Sequence, residues 1–224
     1  MDSRRAFAPP FENIYIENLR IAEIERGRRG MDVIEAIETR RAYRSLAPVE
    51  ITPELLADLA RCAQLAPSCN NNQPWRFIFI HGPEALAAFH PALSAGNGWA
   101  KAASLIIAVF SRKEDDCLIR DREYHLFGDG LATAFLILRA MELGLVAHPI
   151  AGYSSKKTRE ILGIPEEYQI ITLINIGRHA EGINPVMSSE QIEQESVRPE
   201  RKTFAEFAFE NCYGVPLASS TIAK

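Results

Sequence analysis

The stretch A-P-S-C-N-N-N-Q-P-W-R-F-I-F-I occupies residues 66–80 and joins a cluster of polar side chains directly to an apolar, β-rich segment. The hydroxyl and amide side chains that precede Pro74 can donate and accept hydrogen bonds in close succession. Residues 76–80 predict a strand anchored in the core. This order is typical of a loop that binds a polar, planar group such as the pyrimidine edge of a flavin, although Pro, Ser and Asn also form ordinary turns.

Helical and strand-like segments lie on both sides of this loop. Thr52 and Pro53 give the cap and first-turn signal of a helix that ends before Pro67. Hydrophobic periodicity predicts further strands near 105–110, 146–153 and 168–177, and helices near 83–93, 127–143 and 154–162. The alternation is too irregular for a doubly wound sheet, so the pattern favours a three-layer α+β sandwich.

The predicted helix at 127–143 carries charge only at Asp129, Arg139 and Glu142. A helix that is apolar on nearly every side must be buried on nearly every side. A subunit contact would cover the face that the domain itself leaves open, so this helix predicts a homodimer.

Composition narrows the class of protein. The chain has 224 residues, of which 47% are hydrophobic and 24% charged, and this is ordinary for one globular domain with a sizeable core. A net charge of −4 lacks the excess of positive charge that is typical of nucleic-acid-binding proteins. No apolar run approaches the ~18 residues of a membrane span. The start M-D-S-R-R-A-F is similar to a twin-arginine export signal, but Pro9, Pro10 and Glu12 replace its apolar region, so we expect a cytoplasmic protein.

The four cysteines, Cys62, Cys69, Cys117 and Cys212, are scattered and form no C-x-x-C pair. This spacing predicts free thiols in a reducing compartment. The five histidines do not supply the short ligand spacing of a zinc site either, so no metal is expected.

Two segments allow alternative interpretations. Residues 1–30 carry six arginines and five acids without a clean period. They are either an ordered arm that packs on a partner subunit or an upstream extension, and residues 31–224 form the domain itself. Residues 112–124 are rich in charge, which is typical of a solvated face but also suits a mobile lid over a site.

The first candidate site is Arg40-Arg41-Ala42-Tyr43-Arg44, at the end of the first predicted helix. Cations at a helix C-terminus are stabilised by the helix dipole, and that alone explains one of them. Three arginines within five residues repel one another and favour an anion, and the planar guanidinium grips phosphate oxygens bidentately.

Together, R-R-A-Y-R and A-P-S-C-N-N-N-Q-P-W resemble the FMN-dependent nitroreductase family, whose usual forms are close to R-R-S-x-R and A-P-S-x-x-N-x-Q-P-W. D-G-L-A-T-A-F-L-I-L-R-A-M-E-L-G-L resembles the family's central dimer helix, and P-I-A-G-Y its flavin loop. I-N-I-G-R and R-P-E-R-K-T-F-A-E-F resemble its closing strand and swapped tail. The resemblance spans residues 31–213. It implies a nitroreductase-like three-layer α/β/α sandwich with a central antiparallel or mixed sheet, in a domain-swapped homodimer that holds FMN at its interface.

The resemblance also implies residue roles. Arg40 and Arg41 would bind the FMN phosphate, with Arg201 joining from the tail and Arg178 as a secondary candidate. Ala42 stands where the family usually has Ser, and Ala151 where Gly is common. Arg44 would lie near flavin N1 and O2. The residues expected around the ring are Asn71 and Gln73 on its polar edge, Pro67 and Ser68 on the partner subunit's side, and Pro149, Ile150 and Gly152 against its face.

An aromatic substrate gate is the last implied feature. Tyr124 and Phe127 lie where the family places an aromatic side chain over the flavin, although both also suit a core position. His125 could donate a proton to the acceptor, but we expect an ordinary surface histidine. Trp75 and Trp99 are interpreted as packing residues.

The implied activity passes a hydride from NAD(P)H to flavin N5 and then to an electron-poor small molecule, such as a nitroaromatic or a quinone, by a ping-pong mechanism. Catalysis then needs no protein nucleophile, and Arg44 would stabilise the charge of the reduced flavin. Two alternatives stay open: a relative with other flavin chemistry (dehalogenation, flavin reduction or flavin cleavage), or a flavin-binding redox module without turnover.

Overall fold

The computed structural model describes residues 31–217, and a five-stranded sheet lies at its centre. The strands are β1 (Leu46–Ala47), β2 (Arg76–His81), β3 (Leu105–Ser111), β6 (Val146–Ile150) and β7 (Gln169–His179), and a separate hairpin consists of β4 (Leu118–Ile119) and β5 (Arg122–Glu123). β7 pairs with β3 along one edge and with β6 and β1 along the other, and β2 lies outside β3. All of these pairings are antiparallel.

The helices connect and cover these strands: α1 (Val33–Thr39), α2 (Pro53–Gln64), α3 (Pro83–Phe89), α4 (Tyr124–Glu142), α5 (Ser155–Leu162), α6 (Ser189–Ser196) and α7 (Phe204–Phe207). Short polar side chains fix where several of them begin. Thr52 caps α2 by accepting from the backbone N–H of Leu55, as its position before Pro53 predicts. Ser188 and Gln191 form a reciprocal capping box at the start of α6.

β3 divides the core into two clusters. Leu105 and Ile107 pack with α2 and α4 on one face of the sheet. Ile106 and Ala108 point to the other face, towards α3 and Trp99. Because side chains alternate along a strand, a strand that is buried at every position must be covered on both sides. The predicted three-layer α/β/α sandwich is therefore confirmed.

Several element boundaries differ from the prediction. The long buried helix begins at Tyr124 rather than Phe127, and β6 ends at Ile150. The last predicted strand, at residues 168–177, begins at Gln169 and extends to His179. The predicted arm at residues 1–30 lies outside the described residues. Within residues 31–217, no helix combines the length and hydropathy that a bilayer-spanning helix needs.

The prediction of four free thiols is wrong for one pair. Cys69 and Cys117 are joined by a disulfide with their Cα atoms 6.0 Å apart, whereas Cys62 and Cys212 are free. The two bonded cysteines are 48 positions apart in the sequence, and spacing alone gave no sign that their loops meet. The fold brings them together because β2 and β3, which follow one loop and precede the other, are paired neighbours.

Candidate functional site

A cavity of about 180 Å³ lies between the segment that follows α1, the end of β6 and the C-terminal tail. α1 ends at Thr39, so the predicted arginine cluster belongs to the connection that follows the helix rather than to its last turn. The cavity is lined by cationic side chains and a few neighbours: Arg40, Arg41, Ala42, Arg44, His148, Gln194, Arg198, Pro199 and Arg201. The fold thus brings together two arginine clusters that are about 150 positions apart in sequence.

None of the residues that line this cavity has an acidic side chain that would neutralise the arginines. Partial burial lowers the pKa of the Arg40 guanidinium, and repulsion from Arg201 and Arg198 lowers it further. Like charges gathered in a half-buried cavity favour an anion with several oxygen acceptors. Arg178, the secondary candidate, is exposed on β7 and does not line the cavity.

Helix α6 forms one wall of the arginine cavity through hydrogen bonds to the connection after α1. Both Glu195 carboxylate oxygens accept from the backbone N–H of Ser45, at 3.1 and 3.2 Å, and one of them also accepts from the N–H of Arg44. Arg41 donates to the Glu195 carbonyl at 2.8 Å, and Arg44 donates to Gln194 Oε1 at 3.1 Å. The guanidinium groups of Arg41 and Arg44 are therefore held by α6 independently of any ligand.

Replacing Glu195 with Gln is expected to lower the free energy of unfolding by about 1 kcal/mol, because a charge-assisted hydrogen bond becomes a neutral one. Urea denaturation of the variant measures the change. Glu193→Gln is the matched control, since Glu193 lies on the exposed side of the same helix. Equal stabilities of the two variants would contradict a role of the Glu195 carboxylate in holding this wall.

His148 is a cavity residue that the sequence did not indicate. Its Nδ1 lies 2.9 Å from the carbonyl oxygen of Tyr43, and its ring lies 4.6 Å from that of Trp99. Burial lowers the pKa of His148 more than this hydrogen bond raises it, and Arg44 lowers it further. A neutral imidazole that donates from Nδ1 is the form that this surrounding favours.

The residues predicted to lie against a flavin follow His148 directly. Pro149 is exposed at the end of β6, while Ile150 is buried. Gly152 has a packing role of its own: a Cβ atom there would overlap Asn97 and Ser94, and its carbonyl accepts from Asn97 Nδ2 at 2.8 Å. A larger residue at this position would therefore have to displace the Asn97 and Ser94 side chains, whatever the loop binds.

The amide loop, residues 68–73, has an unusual backbone. Asn70, Asn71 and Gln73 have positive φ angles of 49°, 57° and 51°, a region that asparagine tolerates better than most residues. Ser68 Oγ accepts from the N–H of Gln73 at 2.9 Å and thereby closes the loop. Asn71 is exposed at the tip. The predicted ring-binding residues Pro67, Ser68, Asn71 and Gln73 do not line the arginine cavity of their own chain.

Residues 112–123, which we call the covering segment, lie against the amide loop. Asn72 Nδ2 donates to Asp116 Oδ1 at 3.2 Å, and Arg76 pairs with Asp115 at 3.3 Å. The Cys69–Cys117 disulfide joins the same two segments. Among the described residues, Cys69, Asp116 and Cys117 also place potential metal ligands within 4.8 Å of one another, but sulfurs bonded to each other offer no thiolate.

The covering segment leads into the candidate gate at the start of α4. The rings of Tyr124 and Phe127 lie 5.4 Å apart, and the Phe127 side chain is 57% exposed. Phe127 is therefore not a core aromatic, and Tyr124 is half-buried. Trp75 and Trp99 are buried, in agreement with their predicted packing role.

A buried polar cluster lies beneath this gate. His125, expected to be a surface histidine, is 1% exposed, so that expectation is wrong. Its Nδ1 lies 2.7 Å from Ser111 Oγ, which in turn donates to Asp129 Oδ2. Burial raises the pKa of Asp129 to about 6, against the lowering effect of the Ser111 hydrogen bond. The one-turn spacing from His125 to Asp129 along α4 was the available signal for this cluster.

The model of the nitroreductase family matches this chain over residues 37–97 and 93–178. The Bacillus subtilis (strain 168) protein named "Putative NAD(P)H nitroreductase YdgI" is 27% identical over 187 residues, which cover 67% of this chain and 90% of that protein. A solved structure described as an oxidoreductase containing FMN has a TM-score of 0.70 and 27% identity, over 80% of this chain and 92% of its own. A nitroreductase from Exiguobacterium sibiricum 255-15, solved in complex with FMN, has a TM-score of 0.63 and 24% identity, over 74% and 97% of the two chains. Because the family model covers more than half of the sequence, the chain belongs to the nitroreductase family.

Proposed function

We propose that the protein is an FMN-dependent oxidoreductase that takes a hydride from NAD(P)H and delivers it to an electron-poor small molecule such as a nitroaromatic or a quinone. The arginine cavity carries this proposal, because its repelling guanidinium groups suit the phosphate of FMN. The names of the relatives support it: one is called an NAD(P)H nitroreductase, and two similar structures contain FMN. When bound, the flavin supplies hydride chemistry at N5.

The chain's own residues bind and orient the cofactor. Arg40, Arg41 and Arg201 hold the phosphate. Arg44, held by Gln194, would supply the permanent cation that stabilises the negative charge of a reduced flavin. Asn71 and Gln73 would hydrogen-bond the polar edge of the flavin, and Tyr124 with Phe127 would limit access to it.

The proposal includes a homodimer. Exposed apolar side chains, among them Val33 on α1, Phe135 on α4 and Leu65 at the end of α2, surround a second, mostly apolar cavity of about 410 Å³. Exposed apolar area of this kind is typical of an obligate subunit contact. The amide loop lies outside its own chain's arginine cavity, so in the dimer it would meet the cofactor of a second copy. Light scattering after size exclusion tests the dimer, and a monomer at micromolar concentration would contradict it.

The purified protein is expected to be yellow and to oxidise NADH or NADPH steadily when nitrofurazone or menadione is added. Absorption between 350 and 500 nm, on the order of that of free flavin, identifies the cofactor, and the decline at 340 nm measures turnover. A colourless protein that does not take up added FMN would overturn the proposal. Reduction by NAD(P)H without acceptor turnover would instead identify a redox module, and turnover of free flavin or of a halogenated acceptor alone would identify the related chemistries. The cytoplasmic location belongs to this proposal too, since NAD(P)H is an intracellular reductant.

A further inference from the structure

We infer that Cys69 and Cys117 form a reversible thiol–disulfide pair that fastens the covering segment to the amide loop. The pair is half-buried, so a small thiol in solution can reach it. A disulfide that only stabilised the fold would be expected in a small, poorly packed domain. This chain has a large core on both faces of its sheet, and two of its four cysteines are unpaired.

The disulfide acts on a segment that is otherwise weakly attached. Residues 112–115 are held by the ion pair of Asp115 with Arg76 and by the Arg112 guanidinium, which lies 5.4 Å from the centre of the Tyr168 ring. Beyond them, β4 and β5 pair only with each other, and a two-stranded hairpin alone is marginally stable in water. Leu118 is 63% exposed. The polar contacts to the amide loop that accompany the disulfide are the hydrogen bond from Asn72 to Asp116 and longer hydrogen bonds from the Asn70 and Asn72 amides to Cys117 Sγ.

The chemistry is ordinary thiol–disulfide exchange with a low-molecular-weight thiol. The external thiolate attacks one sulfur, the S–S bond breaks, and a mixed disulfide forms. A second external thiol then displaces the first as a disulfide. Two electrons and two protons end on Cys69 and Cys117, and two molecules of the external thiol become one disulfide.

Reduction frees residues 116–123 from the amide loop. Because β5 runs directly into α4, the candidate gate at Tyr124 and Phe127 is then connected to a mobile segment on its N-terminal side. The oxidised form thus holds the gate and the loop in one fixed arrangement, and the reduced form widens access between them. This consequence for the acceptor rests on the proposed function, whereas the exchange of the cysteine pair does not.

Labelling of the full chain with N-ethylmaleimide, followed by intact mass measurement in denaturant, tests the pair. After treatment with oxidised glutathione we expect Cys62 and Cys212 each to carry a label or a glutathione adduct, which differ in mass, and after reduced glutathione or dithiothreitol we expect four labels. Returning the protein to oxidised glutathione should restore the first pattern. Four labels under oxidising conditions would exclude the pair, and two labels that persist in the folded protein under reducing conditions would exclude its reversibility.

Hydrogen exchange tests the release of the segment without any assay of activity. Reduction is expected to speed exchange in peptides covering 116–123 by about tenfold or more, and to leave peptides from α5 unchanged. The Cys69→Ser and Cys117→Ser variants should match the reduced protein, and Cys62→Ser should match the oxidised wild type. Equal exchange of 116–123 in both redox states would overturn the inference, and the reduced wild type decides the matter if a serine variant fails to fold.

Kinetics then tests the effect on access. The double variant Cys69→Ser with Cys117→Ser avoids added thiols, which react with quinones, and should raise kcat/KM for nitrofurazone by about threefold or more relative to the oxidised wild type. An unchanged kcat/KM would contradict the inference that loss of the disulfide widens access between the gate and the amide loop. Absence of flavin or of turnover would overturn the proposed function instead, and labelling and exchange would still decide the cysteine inference.

Discussion

Replacing Arg40 and Arg41 together with alanine is expected to weaken FMN binding by about 10²–10⁴-fold. Each charge-assisted contact to a phosphate contributes about 1.5–3 kcal/mol, and two are lost. Both side chains line the arginine cavity, and Arg40 is already under repulsion from Arg198 and Arg201. Fluorescence titration of the apoprotein with FMN measures the dissociation constant.

The same variant should keep its fold, which separates lost binding from lost structure. Removing the repelled, half-buried Arg40 cation stabilises the apoprotein, whereas removing Arg41 costs its hydrogen bonds to the last carbonyls of α6 and its contact with the Tyr43 ring. The apparent Tm of the apoprotein is therefore expected to change little. Arg178→Ala is the matched control, because this exposed arginine lies outside the cavity. An equal loss of FMN in the control, or full retention in the double variant, would refute the phosphate assignment.

Replacing Asp129 with Asn is expected to change how stability depends on pH, by up to about 3 kcal/mol. Burial raises the pKa of this carboxyl from its ordinary value near 3.8 to about 6 in the folded protein. A raised folded pKa means that the stabilising, protonated form is fully present below pH 4 and is lost as pH rises through 6. A difference of about two pKa units corresponds to about 3 kcal/mol.

Urea denaturation of wild type and Asp129→Asn at pH values between 4 and 7.5 measures this effect. The variant should gain stability relative to wild type as pH rises, and the gain should level off above pH 7. The amide can still accept from Ser111, so the hydrogen bond itself is kept. Asp121→Asn, at an exposed position of the covering segment, is the control. A stability difference that does not vary with pH would show that Asp129 titrates normally in the folded state.

Local signals in the sequence predict much of this fold correctly. The Thr52-Pro53 start of α2, the apolar run of β3 and the nearly uncharged α4 are all features of neighbouring residues, and each forms the expected element. The three-layer arrangement follows because β3 and α4 each need cover on more than one side. One side of the arginine cavity could also be predicted, since Arg40, Arg41 and Arg44 lie close together in the sequence.

Contacts between segments that are distant in the sequence could not be predicted from it. His148 lines the cavity because β6 pairs with β7, and nothing in the segment V-A-H-P-I indicates a binding residue. Cys69 meets Cys117 only once β2 and β3 are paired. His125 looks like a polar residue at a helix start, yet Ser111 at the end of β3 gives it a buried partner. Helix α6 is the exception, because the spacing of Ser188 and Gln191 is a capping-box signal that the sequence itself contains.

The position of β7 has a consequence for synthesis of the protein. This strand is the last of the sheet to leave the ribosome, yet it lies between β3 on one edge and β6 with β1 on the other. Until residue 179 has emerged, the nascent chain holds the largely apolar β3 with one edge unpaired, which is a template for aggregation. The sheet therefore cannot be completed before β7 is synthesised, and a chaperone that shields β3 in the interval would raise the yield.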